Sequence, residues 1–181
     1  MKSERLAIPD VILITPGRHG DSRGFFSETW NQVRFAEAGV ASSFVQDNQS
    51  LSRDQGVIRG LHCQIDPHAQ GKLVRCVRGA IWDVAVDARC GSSSFGKWVA
   101  AELSAENWQQ LWVPPGFLHG FCTLVPETEV MYKVTSPYNR EAERGVRWND
   151  PTLALPWPVR DAVLSERDQA LPFWADVPPL F

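Results

Sequence analysis

Ten short runs, each closed by Gly, Pro, Asp or Asn, carry most of the regular patterning in the chain, and helical spacing is nearly absent. They span residues 11–15, 24–29, 43–52, 56–64, 72–78, 80–87, 97–103, 110–113, 117–125 and 129–134. Short apolar or alternating segments bounded by turn formers read as strands. Gly79 marks a tight corner between two of them, and Pro114-Pro115-Gly116 is another hard turn. Helical spacing is confined to 32–38 and a piece at 166–170. Many short strands with few helices predict an all-β sandwich or barrel with short peripheral helices.

The chain has 181 residues, which predicts one domain, 1–181. From Asp150 onward it is rich in Pro and Trp, and 150–181 is expected to wrap the barrel. A net charge of −3 argues against a partner such as nucleic acid or an anionic membrane. No apolar run approaches the ~18–20 residues of a membrane span. Met1-Lys2-Ser3-Glu4-Arg5 lacks the apolar core of an export signal, so a cytoplasmic location is expected. Cys63, Cys76, Cys90 and Cys122 show no C-x-x-C spacing and are expected to be reduced and mostly buried. Neither a glycine-rich dinucleotide fingerprint nor a Walker motif is present.

Few residues are left to carry chemistry. The turn Pro114-Pro115-Gly116-Phe117-Leu118-His119 has the look of a cupin half-motif whose histidine often ligates a metal. The matching first half would need His-x-His, yet His62-Cys63-Gln64 puts Gln at the second position. Lys72 stands where an acidic ligand would sit, so no metal is expected. Strand alternation sends Arg59 and Leu61 to one face and His62 to the other, unless Gly60 marks a bulge. Lys72 lies in the next strand and Tyr132 mid-strand in 129–134. Arg23 reads as a turn cation, and Arg59 either as a surface ion pair or as a bidentate partner for a diphosphate. Taken alone, Asp168 is a solvated helix-end charge, Tyr138 beside Pro137 a loop anchor, and Glu143 part of a solvated charge run, 140–144. The eight tryptophans suit core or interface packing.

Several motifs, in order and at kept spacing, resemble the dTDP-4-dehydrorhamnose 3,5-epimerase family. They are Arg59-Gly60-Leu61-His62, Gln70-Gly71-Lys72-Leu73-Val74-Arg75, Asp83-Val84-Ala85-Val86-Asp87 and Phe95-Gly96-Lys97-Trp98. Glu102-Leu103-Ser104-Ala105-Glu106-Asn107, Pro115-Gly116-Phe117-Leu118-His119-Gly120-Phe121 and Leu164-Ser165-Glu166-Arg167-Asp168 extend the likeness to nearly the whole chain. The resemblance implies a metal-free, cofactor-free cupin-type jelly roll that forms a homodimer and acts on a dTDP-4-keto-6-deoxy sugar. It implies His62 as base, oriented by Asp168, Tyr132 as acid, and Lys72 facing the keto oxygen. Arg23, Glu28, Gln46, Asp47, Asn48, Arg59, His119 and Glu143 match nucleotide-sugar contact positions, and Tyr138 matches the residue that stacks on thymine. Arg167 stands where a lysine is common, and Cys63 replaces an aromatic residue. By resemblance the N-terminal segment, with 11–15 and 24–29, crosses to the partner and carries Arg23 and Glu28 into its site.

The chemistry accords with these roles. Epimerisation beside a ketone removes a proton from carbon and returns one to the opposite face. Histidine, ordinarily near pKa ~6.5, suits the base, and tyrosine, near ~10, stays protonated as the acid. A carboxylate on the far ring nitrogen fixes the tautomer, and a lysine ammonium stabilises the enolate oxygen. The expected reaction converts dTDP-4-dehydro-6-deoxy-D-glucose to dTDP-4-dehydro-L-rhamnose, in dTDP-L-rhamnose biosynthesis. The alternatives are an epimerase acting at one carbon, a silent cupin that only binds a nucleotide sugar, and a metal-dependent cupin oxygenase.

Overall fold

Turn chemistry and alternation produce thirteen strands and two short helices in the computed structural model, which describes residues 1–181. In order they are β1 (Lys2–Arg5), β2 (Ile12–Thr15), β3 (His19–Asp21), β4 (Gly24–Phe26), α1 (Gln32–Glu37), β5 (Gln46–Ser52), β6 (Ile58–Gln64) and β7 (Lys72–Arg78). There follow β8 (Ala80–Asp87), β9 (Trp98–Ser104), β10 (Gln110–Val113), β11 (Phe117–Thr123), β12 (Thr128–Val134), β13 (Glu143–Gly145) and α2 (Glu166–Gln169). Two antiparallel sheets face each other, one ordered β1-β2-β10-β7-β12-β5 and the other β13-β6-β11-β8-β9. The all-β sandwich implied by the ten runs is the observed architecture. β1, β3 and β13 were not foreseen, and the expected strand at 24–29 shrinks to Gly24–Phe26. No helix is long and apolar enough to cross a membrane.

The core lies between the sheets. Val74, Leu111 and Val130 from one sheet meet Ile81, Ala85, Phe117 and Phe121 from the other, all buried. Each sheet is also covered on its outer face. Trp30, Phe35, Val40 and Phe44, on and around α1, pack on Ile12, Ile14, Leu73 and Trp112. Leu153, Trp157, Trp174, Val177 and Leu180 cover Leu61, Val84, Val86 and Leu118, so 150–181 wraps the five-stranded sheet. Burial on both faces explains why every residue of β11 is buried and why its sequence shows no clean alternation.

Two local features depart from regular pairing within one sandwich. Opposite Gly120 of β11, β6 places two residues, because His119 pairs with His62 while Phe121 pairs with Arg59. This bulge supplies the extra residue that turns Arg59 and His62, three apart, onto one face. Glycine is required there: Gly60 has φ +119°, and a Cβ on it would lie 2.7 Å from the Gly120 Cα and the His119 carbonyl oxygen. The second feature lies in the N-terminal segment. Ile12–Thr15 pairs with Gln110–Val113 within this chain. The β3–β4 hairpin, exposed along its length, is a two-stranded sheet of its own, with Phe25 edge-on to Trp108.

Candidate active site

At one end of the sandwich the sheets part around a cavity of about 470 Å³. One wall is β6 and β11, which contribute Arg59, His62 and His119. The opposing wall is β5, β7 and β12, which contribute Ser50, Lys72 and Tyr132. The segment Val163–Asp168 closes the side, with Arg167 and Asp168 lining the cavity. His62, Lys72, Tyr132, Arg59, His119, Asp168 and Arg167, all singled out from the sequence, therefore share one space.

His62 Nε2 lies 2.6 Å from Asp168 Oδ1. Burial pushes the Asp168 carboxyl upward, but hydrogen bonds from His62 and Ser165 and the nearby Arg167 charge outweigh it, so the group sits below the usual carboxylate value. An ionised carboxylate only accepts, so Nε2 donates the hydrogen of this bond, which in a neutral ring leaves Nδ1 as the acceptor. Asp168 is 5% exposed, which corrects its reading as a solvated helix-end charge.

Lys72 is partly buried, and its ammonium donates at 3.4 Å to the His62 carbonyl. Burial holds it below the ordinary lysine value, offset in part by Cys63, Asp83 and Glu143. Behind it lies a second His–Asp pair, one not assigned from the sequence. His119 Nε2 is 2.5 Å from Asp83 Oδ1, and burial keeps His119 below its usual value despite Asp83. The adjacent strands give the signal in retrospect, since Asp83, Ala85 and Asp87 alternate onto one face of β8. Tyr132 is raised above the ordinary phenol value, mainly by burial. The Ser50 hydroxyl, buried and without a partner, also faces the cavity. It shares the inward face of β5 with Gln46 and Asn48, at the spacing of two that alternation predicts. Cys63, behind the base, is buried and its thiol is pushed up to about 11 by burial. No group of three or more His, Cys, Asp or Glu side chains is placed to hold a metal ion.

At the rim, Gln46 donates to Asn48 Oδ1 at 2.7 Å and accepts the Tyr138 N–H at 3.0 Å. The Tyr138 hydroxyl donates to Glu143 Oε2 at 2.7 Å, and Arg167 pairs with the same oxygen. Burial raises the Glu143 carboxyl, but Arg167 and Tyr138 hold it below its usual value. Glu143 therefore sits in a strand paired with Gln64, which corrects its reading as part of a solvated charge run. Arg59 donates to Ser52 Oγ at 3.2 Å and to the Leu51 carbonyl at 3.1 Å. Three expected contacts are not brought in. Asp47 points to the other face of β5 and pairs with Lys133 at 2.8 Å. Arg23, on the free hairpin, pairs with Asp21 at 2.6 Å, as a turn cation would. Glu28 accepts from Asn31 at 3.2 Å and lies 3.3 Å from Arg34.

Known proteins are similar to this chain from end to end. A Pseudomonas aeruginosa dTDP-4-dehydrorhamnose 3,5-epimerase is 54% identical over 178 residues, 97% of each chain. The crystal structure of a Bacillus anthracis dTDP-4-dehydrorhamnose 3,5-epimerase with TDP and PPi bound superposes with a TM-score of 0.93 at 50% identity, covering 95% of this chain and 98% of that one. A Legionella pneumophila dTDP-6-deoxy-D-glucose-3,5-epimerase in complex with dTDP-4-keto-L-rhamnose gives a TM-score of 0.93 at 42% identity, covering 98% of this chain and 94% of that one. With the family's sequence model matching residues 5–176 as well, the chain belongs to the dTDP-4-dehydrorhamnose 3,5-epimerase family.

Proposed function

We propose that the chain epimerises dTDP-4-dehydro-6-deoxy-D-glucose at carbons 3 and 5, giving dTDP-4-dehydro-L-rhamnose for dTDP-L-rhamnose synthesis. The observation that carries the mechanism is the placement of His62 and Tyr132 on opposing sheets across one cavity. A sugar ring held between them presents one face to each. His62 Nδ1 takes the proton from carbon 3, and the C–H electrons move into an enolate whose oxygen is at carbon 4. The Lys72 ammonium stabilises that oxygen, an interaction worth roughly 2.7–4 kcal/mol for one such donor. Tyr132 then gives its phenolic proton to the other face of the same carbon. Carbon 5 also adjoins the ketone, so the same groups act there in a second round. Between rounds His62 returns its proton to solvent and Tyr132 regains one. Asp168 holds the tautomer and stabilises the imidazolium.

Arg59 and Arg167, with the Gln46–Asn48–Ser50 face of β5, suit the diphosphate and the nucleoside. Guanidinium groups are matched to phosphate oxygens. The functional unit is a C2 homodimer in which the β3–β4 hairpin brings Arg23 to the neighbour's cavity. The hairpin's Phe26, 71% exposed, supports this, whereas Phe25 is covered on one side by Trp108 of its own chain. Incubation with the 4-keto sugar nucleotide in deuterated water tests the reaction. Deuterium at both carbons 3 and 5 of the product is expected; deuterium at one carbon would reduce the activity to single inversion, and none would remove it.

A further inference from the structure

Asp168 sits on α2, a helix of four residues, and helices this short are not stable by themselves. Something else must hold its carboxylate 2.6 Å from His62. Upstream, the segment is tied to the start of β6, with the Val163 N–H donating to the Gly56 carbonyl at 2.9 Å and the Ile58 N–H to the Val163 carbonyl at 3.0 Å. Downstream, Arg147 makes the ties nearest the helix end, and the Trp174 N–H donates to Asp150 Oδ2 at 2.7 Å farther on. Arg147 Nη2 donates to the Gln169 carbonyl at 2.8 Å and its Nε to the Leu171 carbonyl at 3.1 Å. Its own N–H donates to the Pro172 carbonyl at 2.8 Å, and its guanidinium lies 4.8 Å from the centre of the Phe173 ring.

The other end of this tie is the base itself. Val146, next to Arg147, exchanges hydrogen bonds with Leu61, at 3.2 Å from the Leu61 N–H and 3.1 Å from the Val146 N–H. Leu61 is the neighbour of His62. A closed circuit thus runs from His62 through Leu61, Val146 and Arg147 to the end of α2, and back through Asp168 to His62. The approach is close: a Cβ on Gly145 would stand 2.7 Å from the Leu61 carbonyl oxygen and 2.8 Å from the Leu171 side chain.

We infer that Arg147 is a positioning residue for the epimerase reaction, clamping the downstream end of α2 so that the Asp168 carboxylate is aimed at His62 Nε2. It touches neither substrate nor cavity. A planar fork spans two carbonyls two residues apart at fixed angles, and a lysine ammonium on a flexible stem does not. The inference rests on the proposal that Asp168 orients His62.

A double-mutant cycle read by solvent deuterium exchange and by product formation tests both together. Arg147→Ala should lower kcat by roughly 10²-fold, the scale of a displaced catalytic group, with KM unchanged, and Arg147→Lys should fall between it and the parent. Placed in an Asp168→Asn chain, where no carboxylate remains to aim, Arg147→Ala should cause no further loss. Where Arg147→Ala fails to fold, Arg147→Lys carries the cycle. A kcat loss of the same factor in both backgrounds, or a loss confined to KM, would overturn the clamp while leaving the role of Asp168 standing. An Asp168→Asn enzyme with the parent rate would overturn that role, and the clamp with it.

Discussion

Lys72 must be cationic to stabilise an enolate oxygen, yet its position between the sheets disfavours charge. Burial lowers its proton affinity, and the nearby Cys63, Asp83 and Glu143 restore only part of it. The sign is definite: the cation is lost as pH rises, and sooner than for an ordinary lysine at ~10.4. Tyr132, the other group that titrates in this range, is shifted the opposite way and keeps its proton above the usual phenol value. Activity should therefore fall on the alkaline side because of Lys72. Lys72→Arg should move that limb to higher pH whatever it does to the maximum rate, since a guanidinium stays charged beyond ~12. A limb that stays in place in the variant's pH–rate profile would assign the titration to another group.

Among the elements, β6 shows where sequence is legible and where it stops. Its extent is readable from alternation and flanking glycines, and Gly60 could be marked as a bulge candidate. That the bulge occurs, and so joins Arg59 to the face of His62, depends on Gly120 standing opposite, which one strand's sequence cannot show. β1 carries Lys, Ser, Glu and Arg, all exposed, so no apolar pattern announces it. β13 hides in a charge run because Glu143 is held by Tyr138 and Arg167 rather than by apolar neighbours. Asp168 finds its partner 106 residues away, and only the family likeness singles it out in sequence. Gly60→Ala tests the bulge. Its Cβ would meet backbone at 2.7 Å, and forced overpacking of this kind costs about 1–3 kcal/mol. A lower melting temperature and a loss of turnover together are expected; normal turnover with normal stability would show that the bulge does not set the site.

For the whole molecule, the proposed chemistry needs the groups of one chain, and the proposed dimer adds to its rim. One chain supplies base, acid, lysine and the Asp168 support, while Arg23 stays on an exposed hairpin, paired only with Asp21. Mixing His62→Asn protein with Arg23→Ala protein, under conditions that exchange subunits, tests the shared site. Each parent is expected to be inactive, and each heterodimer should regain one sound site. Inactive heterodimers, or a monomer that turns over normally, would confine Arg23 to its own chain. What the sandwich itself contributes is separation. In the proposed mechanism opposed sheets hold base and acid apart on two faces of one ring, and that placement turns proton exchange into inversion. Tyr132→Phe measures it most directly, by following deuterium uptake and product in the same reaction. Proton removal by His62 should continue, so substrate deuteration should outlast product formation, which should fall far below the parent rate. Product formed at the parent rate would contradict the assignment of the acid to the opposing sheet.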